Sequence, residues 1–109
     1  MLVIISDLHL TDGTSGSTIS PGAFALLEER LQDLAVRASY RTSGDYRPIE
    51  RIDLLLLGDV LDVIRSTRWH QYKVRPWDSP HTPAAVEAIT SISEGVLHHN
   101  HEALGVLRH

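Results

Sequence analysis

Leu2-Val3-Ile4-Ile5-Ser6 and Ile52-Asp53-Leu54-Leu55-Leu56-Leu57 decide the fold. Each is a short, almost unbroken apolar run, and such runs read as strands of a parallel sheet buried on both faces. The segment between them reads as a helix. Ser20-Pro21 pairs a capping residue with a proline at the first helical position. Phe24, Leu27, Leu31, Leu34 and Ala38 then recur at steps of three and four, with Glu28, Glu29, Gln32, Asp33 and Arg37 on the remaining face. Loops rich in Gly and Ser flank this helix, from Asp7 to Ser20 and from Ser39 to Pro48. Strand, helix and strand make a βαβ unit with a parallel sheet and a right-handed crossover.

Beyond the second strand, Val60 to Arg65 is expected to form a short helix, and Ser66 to Pro83 an irregular excursion. Thr82-Pro83 repeats the cap-plus-proline signal. Ala85, Ala88, Ile89, Ile92 and Val96 set a helical period that Leu104 and Leu107 continue, weakened at Gly95 and Gly105. The class is α/β. Two strands buried on both faces expose more apolar sheet than this chain can cover. Residues 1–109 are therefore expected to be the N-terminal part of one larger domain.

Composition narrows the function. The 109 residues carry a net charge of −4 with seven histidines uncounted, which argues against a chain whose main task is gripping a nucleic acid backbone. Cysteine is absent, so disulfides and thiolate metal sites are excluded. The longest apolar runs, Met1 to Ile5 and Ala23 to Leu27, fall far short of the ~20 residues of a membrane span. No secretory pattern opens the chain, so the expected location is the cytoplasm.

The chemistry is expected at the ends of the strands. Asp7 and His9 stand two apart where the first strand ends, and Asp59 follows Gly58 where the second ends. In a parallel sheet both ends lie at the carboxyl edge, where open α/β folds bind ligands. Extended backbone would put Asp7 and His9 on one side, with Leu8 opposite. Two carboxylates and an imidazole suit Mn²⁺, Fe or Zn²⁺ better than Mg²⁺. Gly58 would let the backbone pass close beneath the ions.

Ile5-Ser6-Asp7-Leu8-His9-Leu10 resembles the D-x-H block of calcineurin-like metallophosphoesterases, and Leu57-Gly58-Asp59-Val60-Leu61-Asp62 resembles their G-D-x-x-D block. The resemblance covers residues 1–65 well and the remainder poorly. It implies a four-layer α/β/β/α sandwich with two divalent metal ions at a dinuclear centre. It also implies hydrolysis of phosphate mono- or diesters by a metal-bound hydroxide. By position, Asp7 and His9 look like ligands of the first metal and Asp59 like the bridging carboxylate. The family next has a strand followed by G-N-H-D/E. Here the nearest match is Asn100-His101-Glu102, with His99 in place of the glycine and a helical pattern before it. Asn100 as a ligand and His101 as general acid is one reading; a helix surface, favoured by the periodicity, is the other. No G-H-x-H block follows.

Other features carry two readings each. Asp62 serves either to orient a metal ligand or to favour a helix N-terminus. Asp12 reads as a solvated loop residue. His98, His99, His101 and His109 form a histidine-rich tail that reads as a solvated polar face, with adventitious metal binding by His98 and His101 as the alternative. Arg65, Arg68, Lys73 and Arg75 interleave with Trp69, Tyr72 and Trp77, either to meet a nucleotide or single strand or as a solvated loop with anchoring tryptophans. Nucleic acid enters only as a substrate. A non-catalytic metal- or protein-binding scaffold of the same fold is the alternative function. An aspartyl nucleophile is disfavoured because His9 stands where D-x-D would need Asp.

Overall fold

A computed structural model describes residues 1–17 and 19–108. Strand β1 (Leu2–Ser6) and strand β2 (Asp53–Leu57) form a two-stranded parallel sheet in the register Leu2↔Asp53 to Ser6↔Leu57. Helix α1 (Pro21–Ala38) connects them. A 3₁₀ turn at Thr67–Gln71, helix α2 (Pro83–His99) and helix α3 (His101–Arg108) complete the chain. This is the α/β unit expected from the apolar runs.

Both helix starts lie at the cap-plus-proline pairs, with a difference. The Thr82 hydroxyl accepts from Ala85 N at 3.2 Å, whereas the Ser20 side chain makes no capping bond. Leu8, Leu10, Phe24, Val96 and Ala103 form the main buried cluster, with Ile5, Leu56, Leu104 and Leu107 packed around it. A second cluster joins Trp69 to Ala88 and Ile92, and the Trp69 indole N–H donates to Val63 O at 2.7 Å.

Three expectations are corrected. First, the strands are covered on one face only. Leu2 and Ile4 are 62% and 56% exposed, and Leu55, which pairs with Ile4 in the register, and Leu57, which pairs with Ser6, are exposed as well. The radius of gyration is 18.3 Å, against about 13 Å for a compact domain of this length. Second, residues 60–65 form no helix. Leu61 instead pairs with Leu10 in a parallel bridge, and Asp62 N donates to Leu10 O at 2.8 Å. Long-range pairing has outbid the local preference. Third, the C-terminal helical pattern is broken at Asn100 into α2 and α3. The Asn100 amide donates to Thr11 O at 2.7 Å and to Val96 O at 2.8 Å. This side chain thus closes one helix while tying it to the loop after β1.

Candidate metal centre

The chain leaves β1 and β2 side by side, and the pairing persists past both strands. His9 N donates to Asp59 O at 2.8 Å, and Leu10 N to Val60 O at 2.9 Å. These bonds fix the two exits against each other. Leu8 and Leu10 turn into the core, while Asp7 is exposed and His9 half-buried.

Extended backbone does not bring the side chains together, contrary to the alternation argument. Asp7 (φ 57°), His9 (φ 47°) and Asp59 (φ 30°) are the non-glycine residues with positive φ among the described residues. Left-handed backbone costs an L-residue about 1–2 kcal/mol, and Asp is among the residues that bear it best. Strain of this kind persists only where the surroundings over-determine it, and it clusters at ligand sites. Gly58 has φ 54°, and a Cβ there would meet nothing within 4 Å. Its role is the turn, not the close approach expected of it.

The result is a convergence. One ligand atom from each of Asp7, His9 and Asp59 lies within 4.8 Å of the other two. Neighbouring donors on one tetrahedral first-row cation stand about 3.4 Å apart, given bonds of ~2.0–2.2 Å. Side-chain shifts on the order of 1 Å would close the group around a single ion. The donor set, two carboxylate oxygens and an imidazole nitrogen, suits a divalent first-row metal.

Asp62 stands behind the ring. Its Oδ2 lies 3.1 Å from His9 Nδ1, and its side chain is only 12% exposed. On the other side of the ring, His9 Nε2 lies 3.9 Å from Asp59 Oδ2. Of the two readings of Asp62, the geometry fits the orienting one: a carboxylate on one imidazole nitrogen fixes what the other can do. Arg65 Nε reaches the same Asp62 oxygen at 2.9 Å.

Asp12 is not simply solvated. Its carboxylate accepts from Thr14 N at 3.1 Å, from Thr14 Oγ1 at 2.6 Å and from Ser66 Oγ. It thereby joins the loop after β1 to the segment after β2. Burial on its own would raise the carboxyl, but these hydrogen bonds and the nearby Arg68 guanidinium outweigh it and hold the group below its ordinary value. Sequence offered no signal for this link, because Ser66 is 54 positions away.

Asn100 and His101 are placed elsewhere. The Asn100 amide nitrogen is engaged by Thr11 and Val96 carbonyls. His101 Nδ1 donates to His98 O at 3.0 Å, and the two rings stack with centroids 5.9 Å apart. His101 is outside the convergent group. With His98, His99 and Glu102 it lines a cavity of about 460 Å³; His109 lies outside the described residues.

Two arginines of the basic and aromatic loop are turned onto the protein itself, Arg68 onto helix α2 and Arg75 onto the loop's own carbonyls. Arg68 binds Ser91 O and Oγ at 3.2 and 2.8 Å, and Arg75 reaches the carbonyls of Trp69, Tyr72 and Val74. Trp69 is buried while Trp77 is 80% exposed, so one tryptophan anchors the loop rather than two.

Among the described residues, no helix is long and apolar enough to cross a membrane. No family model, curated protein or solved structure matches this chain.

Proposed function

We propose that the carboxyl edge of the sheet holds a divalent cation through Asp7, His9 and Asp59, and that the protein hydrolyses phosphate mono- or diesters there. The observation that carries the reading is the convergence of these three donors, each on left-handed backbone. Reaction class and substrate class rest on the two motifs, Asp7-Leu8-His9 and Gly58-Asp59-Val60-Leu61-Asp62, and their resemblance to calcineurin-like metallophosphoesterases. The uncovered sheet face of Leu2, Ile4, Leu55 and Leu57 fits the same reading, because a four-layer sandwich packs a second sheet on such a face.

Asp7 and Asp59 supply charge, and Asp62 holds the His9 ring in its orientation. A cation bound there provides a Lewis acid that polarises a phosphoryl oxygen and acidifies water. A dinuclear centre of Mn²⁺, Fe or Zn²⁺ belongs to the same proposal, and its further ligands lie outside the convergent trio.

One observation favours a second, non-catalytic reading for the 109 residues alone. Neither Asn100 nor His101 is directed to the trio by its hydrogen bonds. The chain by itself is therefore expected to bind Mn²⁺ without turning over a phosphodiester. Inorganic phosphate tests the substrate class without requiring turnover. Calorimetry should show phosphate binding to the Mn²⁺-loaded chain and none to the metal-free chain. Equal binding with and without Mn²⁺ would sink the phosphoester reading.

A further inference from the structure

We infer that Arg65 is a positioning residue of this site: through Asp62 it sets the tautomer and orientation of the His9 ring. The consequence for metal binding rests on the reading proposed above; the link to the ring does not. Arg65 Nε and His9 Nδ1 meet the same atom, Asp62 Oδ2, at 2.9 and 3.1 Å. A carboxylate accepts and does not donate, so the proton of this contact sits on Nδ1. In the neutral ring the lone pair is then on Nε2, the nitrogen 3.9 Å from Asp59 Oδ2. Asp59 is one of the three convergent donors.

Asp62 cannot hold the ring by backbone placement alone. Its N–H is fixed to Leu10 O at 2.8 Å, but a carboxyl still turns about its last torsion, which is broad and soft. A second donor on the oxygen that meets His9 removes that freedom. Arginine is suited to this because Nε–H is a donor close to the backbone in a planar, rigid group, which lysine lacks. Arg65 lies within the basic and aromatic loop, whose other arginines, Arg68 and Arg75, bind carbonyls. Its partner makes it part of the site instead.

The test reads the metal-free protein first. Imidazole ¹⁵N shifts are recorded at about pH 8, above the ordinary imidazole range, for wild type, Arg65→Ala and Arg51→Ala. Arg51 pairs with Asp53 at 2.6 Å and serves as a control for loss of one positive charge. Wild type and Arg51→Ala should show His9 with the proton on Nδ1. Arg65→Ala should move it toward the Nε2–H form, with far-ultraviolet circular dichroism unchanged. Zn²⁺ affinity should then fall about tenfold in Arg65→Ala, the lower end of the effect of removing an outer partner of a metal ligand. A wild-type ring protonated on Nε2, or a tautomer that Arg65→Ala leaves in place, would overturn the inference. A moved tautomer with unchanged Zn²⁺ affinity would support the Arg65 link to His9 and overturn its consequence for metal binding. A tautomer that moves in a protein that binds no Zn²⁺ would support the Arg65 link to His9 and overturn the metal reading.

Discussion

His9 and the histidine cluster His98, His99 and His101 are set in contrasting surroundings. His9 has a carboxylate on each side of its ring, Asp62 at Nδ1 and Asp59 beyond Nε2, and lies between two chain segments zipped together by backbone hydrogen bonds. The histidine cluster has more imidazoles and less organisation. His98 and His101 stack on one another, His101 bonds a carbonyl, and His99 Nε2 meets Ser17 Oγ at 2.8 Å. They line a cavity of about 460 Å³, yet the convergent donors are at the sheet edge. A count of histidines and the convergence of donors therefore point to different places. Under the proposed reading, charged oxygens held beyond a parallel sheet edge make the better metal site, because the paired strand exits hold them near one another before an ion arrives.

The contrast breaks most readily at its strongest end. Asp7→Asn removes a charged donor from the trio and should reduce Mn²⁺ binding below detection in an electron paramagnetic resonance titration. Retained binding would detach Asp7 from the site. Next in size is Asp62→Ala. It leaves the trio intact but frees the His9 ring, and should weaken Mn²⁺ binding about 10–100-fold. Unchanged affinity would show that ring orientation is set by other contacts.

A smaller effect is expected at Asp12. Its carboxyl is held below the ordinary value, so the stabilisation is present above the unfolded-state value and fades as pH falls through the folded one. Asp12→Asn should cost about 1 kcal/mol at neutral pH. The melting temperatures of variant and wild type should converge in strong acid. A gap that stays constant with pH would mean the carboxylate charge contributes nothing. The smallest expected effect is the double variant His98→Ala and His101→Ala, for which Mn²⁺ binding at the sheet edge should be unchanged. A loss there would erase the distinction between the two regions.

Periodicity and caps carried the elements well where local sequence governs. Residues 2–6, the helix starting at Pro21, the parallel partner at 53–57 and the helix starting at Pro83 are all visible in side-chain spacing. Errors fall where long-range bonds override it. Leu61 pairs with Leu10 instead of starting a helix, and the Asn100 side chain reaches Thr11 across 89 positions to break one. The trio's residues are legible as motifs, but their left-handed backbone is not, because the motif says which groups are needed and not the torsions that present them. Arg65 carried one legible hint, its spacing of three from Asp62. The uncovered sheet face agrees with the surplus of apolar strand in the sequence, since an apolar run gives the preference for burial without saying what supplies it.

The most direct test of the central claim is a Mn²⁺ titration by calorimetry of wild type, Asp59→Asn and the double variant His98→Ala and His101→Ala. The account predicts one saturable site in wild type and in the histidine double variant, and none in Asp59→Asn. Binding that survives Asp59→Asn and disappears with His98 and His101 would contradict it, and would move the metal from the sheet edge to the histidine cavity.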